Sequence, residues 1–157
     1  MATAFLLYGR IGVGKSTYAQ SLAEHGRAVV FDGDRWVGQL YGREEGAFVD
    51  FDEALGKVET VMYDVWARCL MLQVNVVLDL GFWKRAKRDR VREQVTSLGA
   101  SYELHEIVAD PEIAWQRVAR RNTDPEAAID ISRTSFDLLQ DKVEPLADDE
   151  PHITVQG

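Results

Sequence analysis

Very little in this sequence could cross-link the chain or anchor it to a charged or lipid partner. One cysteine, Cys69, stands among 157 residues. A single thiol excludes an internal disulfide and a thiolate metal cluster. Its apolar helical setting suits a small core residue. A chain that needs no disulfide fits a reducing cytoplasm, which is the expected location. No apolar run approaches the roughly 20 residues that span a bilayer, so no membrane partner is expected. Met1-Ala2-Thr3 leads straight into Phe5-Leu6-Leu7-Tyr8, which reads as a strand and not as a targeting segment. Positive charge is also scarce. Lys and Arg total 18 against 26 Asp and Glu, for a net charge of −8. A nucleic-acid binder usually carries a basic face, so that partner class is disfavoured.

The remainder is ordinary for a globular protein, with 46% hydrophobic and 28% charged residues. The length suits one domain over residues 1–157. Short apolar runs at Thr3–Tyr8, Ala28–Phe31, Val74–Leu80 and Tyr102–Val108 read as buried strands, and His152–Val155 as a fifth. Helical patterns fall between them: Lys15–His25, Asp34–Leu40, a long helix from an Asp52 cap to about Gln73, Lys84–Leu98, and one opened by Asp110-Pro111. A last helix begins at a Ser132 or Thr134 cap and runs through Val143. The long helix presents a wide apolar face, Leu55, Val58, Val61, Met62, Val65, Trp66, Cys69 and Leu72. The order β-α-β-α-α-β-α-β-α-α-β predicts an α/β, three-layer fold with a five-stranded parallel sheet and helices on both faces.

Gly9-Arg10-Ile11-Gly12-Val13-Gly14-Lys15-Ser16-Thr17 fits G-x-x-x-x-G-K-[ST] at every fixed position. It follows a strand and opens a helix, as that motif must. Glycines let the backbone approach phosphates, and successive N–H groups at a helix N-terminus form an anion cradle. Lys15 is expected on the β- and γ-phosphates and Ser16 on Mg²⁺. No guanine-reading N-K-x-D motif occurs, so ATP is the expected nucleotide.

In such a sheet the ligand lies beyond the carboxyl ends of the strands. Asp32 and Asp34 follow the second strand, and either carboxylate could take a proton from an incoming hydroxyl. Asp34 is preferred as base, with helix capping as its competing role. Asp79 closes the apolar run Val76-Val77-Leu78 and is the expected second Mg²⁺ ligand. Arg117 and Arg121, four apart on one helix face, can neutralise a transferring phosphate. Arg85 and Arg88, within the basic run Lys84–Arg92, are candidates for attracting an anionic substrate. Trp36, Phe82, Trp83 and Trp115 fall near the same strand ends. Asp148-Asp149-Glu150 reads as a solvated turn.

These residues resemble a family of small bacterial P-loop kinases. It includes chloramphenicol phosphotransferase-like proteins, zeta-toxin-like kinases and the kinase domain of phage polynucleotide kinase. The nearest likeness is to a subgroup called AAA-type ATP-binding proteins. The likeness rests on Gly9–Thr17, Asp34-Arg35-Trp36, Asp79-Leu80-Gly81-Phe82-Trp83, Arg85, Arg88 and Arg117 with Arg121, and it extends to about Glu150. It implies a nucleoside-kinase-like fold with a short lid near residues 120–133, a catalytic Asp matching Asp34, and lid arginines matching Arg117 and Arg121. Polynucleotide kinases carry arginine three residues beyond that Asp, where Val37 stands here. The expected activity is therefore transfer of the ATP γ-phosphate to a hydroxyl of a small molecule. A nucleic-acid 5′-hydroxyl kinase and a nucleotide-dependent module or ATPase without an acceptor are the alternatives. Acceptor identity and oligomeric state are not legible in the sequence.

Overall fold

A computed structural model describes residues 1–42, 50–125 and 130–157. Eleven elements follow one another among the described residues: β1 (Thr3–Tyr8), α1 (Lys15–Gly26), β2 (Ala28–Asp32), α2 (Gly33–Tyr41), α3 (Phe51–Met71), β3 (Asn75–Asp79), α4 (Arg85–Ser97), β4 (Ser101–Val108), α5 (Pro111–Arg121), α6 (Arg133–Gln140) and β5 (Ile153–Gln156). This is the expected order. All neighbouring strands are parallel, in the order β2-β3-β1-β4-β5. The chain runs from β1 past β3 to β2 on one side, returns to β3, and then crosses β1 to β4 on the other side. Such a switch point opens a crevice at the carboxyl ends of the central strands.

Burial on both faces explains the unbroken apolar strands. Leu6, Leu7, Val76, Val77 and Leu78 have no exposed surface. Fully burying each such side chain contributes roughly 1.5–3 kcal/mol. On α3 the buried stripe is Ala54, Leu55, Val58, Met62, Trp66 and Leu70. That stripe is narrower than the apolar spacing suggested. Val61, Val65 and Leu72 face outward, because only one side of α3 meets the sheet.

The caps show which polar residues set the element boundaries. Asp50, not Asp52, caps α3 by accepting from Glu53 N at 3.1 Å. Asp110 accepts from Glu112 N and Ile113 N, with Pro111 opening α5. Ser132 caps α6 by accepting from Ser135 N. Part of the expected lid, residues 126–129, and most of the expected loop Gly42–Asp50 lie outside the described residues.

Candidate active site

The phosphate loop leaves the carboxyl end of β1 and enters α1 directly. Gly14, at the α1 N-cap, has φ 104°, a left-handed conformation that favours glycine. Gly12 has φ 76°, and a Cβ there would stand 2.3 Å from the Ala114 carbonyl oxygen. The loop is thus packed directly against α5. Ile11 is buried with Ala114, Val118 and Phe136 of α5 and α6. Arg10, Ser16 and Thr17 are exposed, while Val13 is buried. Lys15 Nζ donates to Gly9 O at 3.1 Å and Arg10 O at 2.9 Å. Trp83 Nε1 donates to the same Gly9 O at 3.3 Å.

Three carboxylates stand at the ends of β2 and β3. Asp32 and Asp79 are direct neighbours in the parallel register. Asp32 caps α2 by accepting from Arg35 N at 3.0 Å. Its carboxyl is held above the usual range, first by burial and then, against the pull of the Arg35 N–H, by Asp34. Asp34 lies in the first turn of α2 and is exposed. Among the described residues nothing hydrogen-bonds or ion-pairs its carboxylate. The competing role in capping therefore falls to Asp32. Asp79 is buried, and its carboxyl is pushed up to about 7. Burial is the main cause; Lys15 opposes it, Asp32 and Asp34 add to it, and Arg121 opposes it.

Arg117 and Arg121 of α5 both reach this edge. Arg117 donates to Val13 O at 3.2 Å, which lays α5 over the loop. Arg121 exerts its charge on Asp79, and its Nε is buried without a hydrogen-bond partner. A buried guanidinium donor left open next to a phosphate loop suits an anionic ligand. Asp79 and Ser16 supply hard oxygen donors suited to Mg²⁺. Among the described residues no group of three or more His, Cys, Asp or Glu could hold a metal by itself. An Mg²⁺ ion here would depend on phosphate oxygens and water for most of its ligands, as is usual for that ion.

Arg85 and Arg88, the candidates for attracting an anionic substrate, are both engaged with carboxylates of the protein itself. Arg88 is fully buried and pairs with Glu150 through Nε and Nη2, both at 2.8 Å. It also donates to the carbonyls of Phe82, Trp83, Glu144 and Pro145. Arg85 is held between Asp89 and Asp149. In the turn expected to be solvated, Asp148 and Asp149 are exposed, but Glu150 is an internal anchor, only 1% exposed. Isolated helix periodicity cannot show this, because the partner lies some 60 residues away. On the other side of α4, Lys87 pairs with Glu59 and donates to Leu80 O. A separate cavity of about 480 Å³ lies between α2 and α3, lined by Trp36, Leu40, Tyr41, Val58 and Val61 among others. None of its lining residues belongs to the phosphate loop.

Comparison with known proteins agrees with this geometry. The AAA domain family profile matches residues 5–146, and the chain belongs to that family. No curated protein sequence matches it significantly. Among solved structures, a provisional kinase from Chloroflexus aurantiacus j-10-fl superposes with TM-score 0.74 at 18% identity, covering 98% of this chain and 87% of the other. Kti12 of Chaetomium thermophilum, solved with ADP-AlF3, gives 0.72 at 16%, covering 97% and 88%. A gluconokinase from Sinorhizobium meliloti 1021 gives 0.65 at 16%, covering 98% and 81%. At these identities the likeness establishes the fold, a P-loop, nucleotide-binding and kinase-like one.

Proposed function

We propose that the protein is an ATP- and Mg²⁺-dependent phosphotransferase that moves the γ-phosphate to a hydroxyl of a small molecule. One observation carries this reading: the three carboxylates at the β2–β3 edge are already divided among separate tasks. Asp32 caps α2. Asp79 is buried within the fields of Lys15 and Arg121. Asp34 is left exposed and uncommitted.

Ser16 and Asp79 would hold the Mg²⁺ ion, which supplies charge neutralisation between the phosphates. Lys15 moves from the loop carbonyls to the phosphates. Asp34 accepts the proton of the acceptor hydroxyl as its oxygen bonds to the γ-phosphorus. The bond from that phosphorus to the β–γ bridging oxygen breaks, and ADP leaves with the bridging oxygen. Arg117 and Arg121 stabilise the charge spread over the transferring group.

An end-kinase reading loses its main support. The basic run on α4 is largely spent within the protein, on Glu144, Asp89, Asp149, Glu59 and Glu150. The test is transfer from γ-labelled ATP to a panel of sugars, nucleosides, aminoglycosides and a 5′-hydroxyl oligonucleotide. Label on a small hydroxyl compound supports the reading. Label only in inorganic phosphate would replace it with an ATPase. Asp34→Asn should lower kcat by about 10²–10⁴-fold, the usual share of a general base, with nucleotide affinity nearly unchanged. Full transfer by that variant would remove Asp34 from the role.

A further inference from the structure

We infer that Trp83 is a positioning residue of the phosphate loop, one that keeps the Gly9 carbonyl hydrogen-bonded when Lys15 leaves it for a bound nucleotide. The inference rests on the reading of Gly9–Thr17 as the nucleotide site. Gly9 is buried, and its carbonyl oxygen accepts from two donors, Lys15 Nζ at 3.1 Å and Trp83 Nε1 at 3.3 Å. A lysine that bridges phosphates must release its loop carbonyls. Arg10 is exposed, so water can replace Lys15 at Arg10 O. Gly9 is buried, so its carbonyl has little such access. A buried carbonyl stripped of its donor carries a desolvation cost that would be charged against binding. An indole N–H is a donor only, so Trp83 serves that carbonyl in both states.

Trp83 is held firmly enough for this. Its own carbonyl accepts from Glu144 N at 2.8 Å and from Arg88 Nη1 at 3.3 Å. It packs against the main core and also against the cluster of Ile11, Ala114, Val118 and Phe136. The chain reaches it from Asp79 by a turn through Gly81, at φ 64°. The Asp79-to-Trp83 stretch thus joins a metal-ligand candidate to a clamp on the phosphate loop. Leu80 O and Phe82 O within it anchor Lys87 and Arg88 of α4.

Trp83→Phe keeps an aromatic ring and removes the N–H. Trp115→Phe is the control, since Trp115 packs on Phe136 and no indole hydrogen bond is seen for it among the described residues. Binding of the magnesium complex of β,γ-imido-ATP would be titrated calorimetrically, with thermal unfolding followed in parallel. Trp83→Phe should bind roughly two- to tenfold more weakly, the scale of one hydrogen bond. It should unfold near the wild-type temperature when free, where Lys15 still serves Gly9 O, and gain less on ligation. Trp115→Phe should bind as wild type. In wild-type protein the Trp83 indole N–H resonance should be protected from exchange and move downfield at saturation, as its acceptor loses the second donor. Equal affinity of Trp83→Phe and wild type, or an indole proton that exchanges freely and does not move, overturns the inference. If Trp83→Phe does not fold, the wild-type resonance decides. Wild-type protein that binds no nucleotide would instead overturn the reading of the loop, and this inference with it.

Discussion

Asp79 and Glu150 are both buried carboxylates, yet their surroundings drive them in opposite directions. Glu150 accepts from Arg88 and Arg92 and from Ala147 N, and its carboxyl is held down at about 2, first by the Arg88 hydrogen bonds. Asp79 has the fields of Lys15 and Arg121 but, among the described residues, no hydrogen bond or ion pair, and burial lifts it to about 7. Burial thus accompanies a closed pair in one place and an open demand for a cation in the other. The closed pair fastens the C-terminal segment to α4. The open group stands beside the phosphate loop, where an incoming divalent ion would hold it in its ionised form.

The largest effect should come from breaking the closed pair. Arg88→Met leaves Glu150 buried without its main partner and should destabilise the protein by about 3–5 kcal/mol in denaturant unfolding. Adding Glu150→Leu should recover most of that loss. A single variant close to wild type would show that the pair is not a structural anchor. Removing the open charge should act with the opposite sign. Asp79 has a folded-state pKa above its unfolded one, so the stability it carries is full below about pH 4 and is lost as pH rises through about 7. Asp79→Asn should therefore stabilise the nucleotide-free protein at pH 8, by at most about 4 kcal/mol, and weaken binding of the magnesium nucleotide. Wild-type affinity for that complex should rise between pH 6 and 8, because Asp79 must be ionised to meet the ion. Glu150, with a depressed pKa, has the reverse dependence. Its contribution is full above about pH 4.5 and falls as pH drops toward 2. A flat unfolding profile across pH 4–7 would erase the contrast. The smallest effect is expected at the rim. Arg85→Ala removes the exposed pairs with Asp89 and Asp149 and should barely change the unfolding midpoint, as exposed ion pairs rarely do.

Much of the donor side was legible because its signals are local. Gly12 and Gly14 take positive φ, and the apolar runs of β1 and β3 are buried on both faces. The order of elements follows from those runs and the helices between them. Residues that act through distant partners were not legible. Asp34 is preferred over Asp32 as base in the sequence, but which of the two caps α2 is decided only by the fold. Arg88 and Glu150 read as a basic helix face and an acidic turn, since a pair 62 residues apart leaves no spacing signal. Trp83 is legible as an aromatic near a strand end and as part of the stretch that carries the family resemblance, but its hydrogen bond to Gly9 needs the β3–α4 turn in place.

The amino-acid sequence by itself determined that a parallel α/β sheet forms and that its first strand ends in a phosphate cradle. Both follow from short-range rules of periodicity, backbone freedom and capping. The tertiary structure alone decided which charges are spent and which remain open. A carboxylate's role depends on what else is buried with it, and folding brings Arg88 to Glu150 while leaving Asp79 without a paired cation among the described residues.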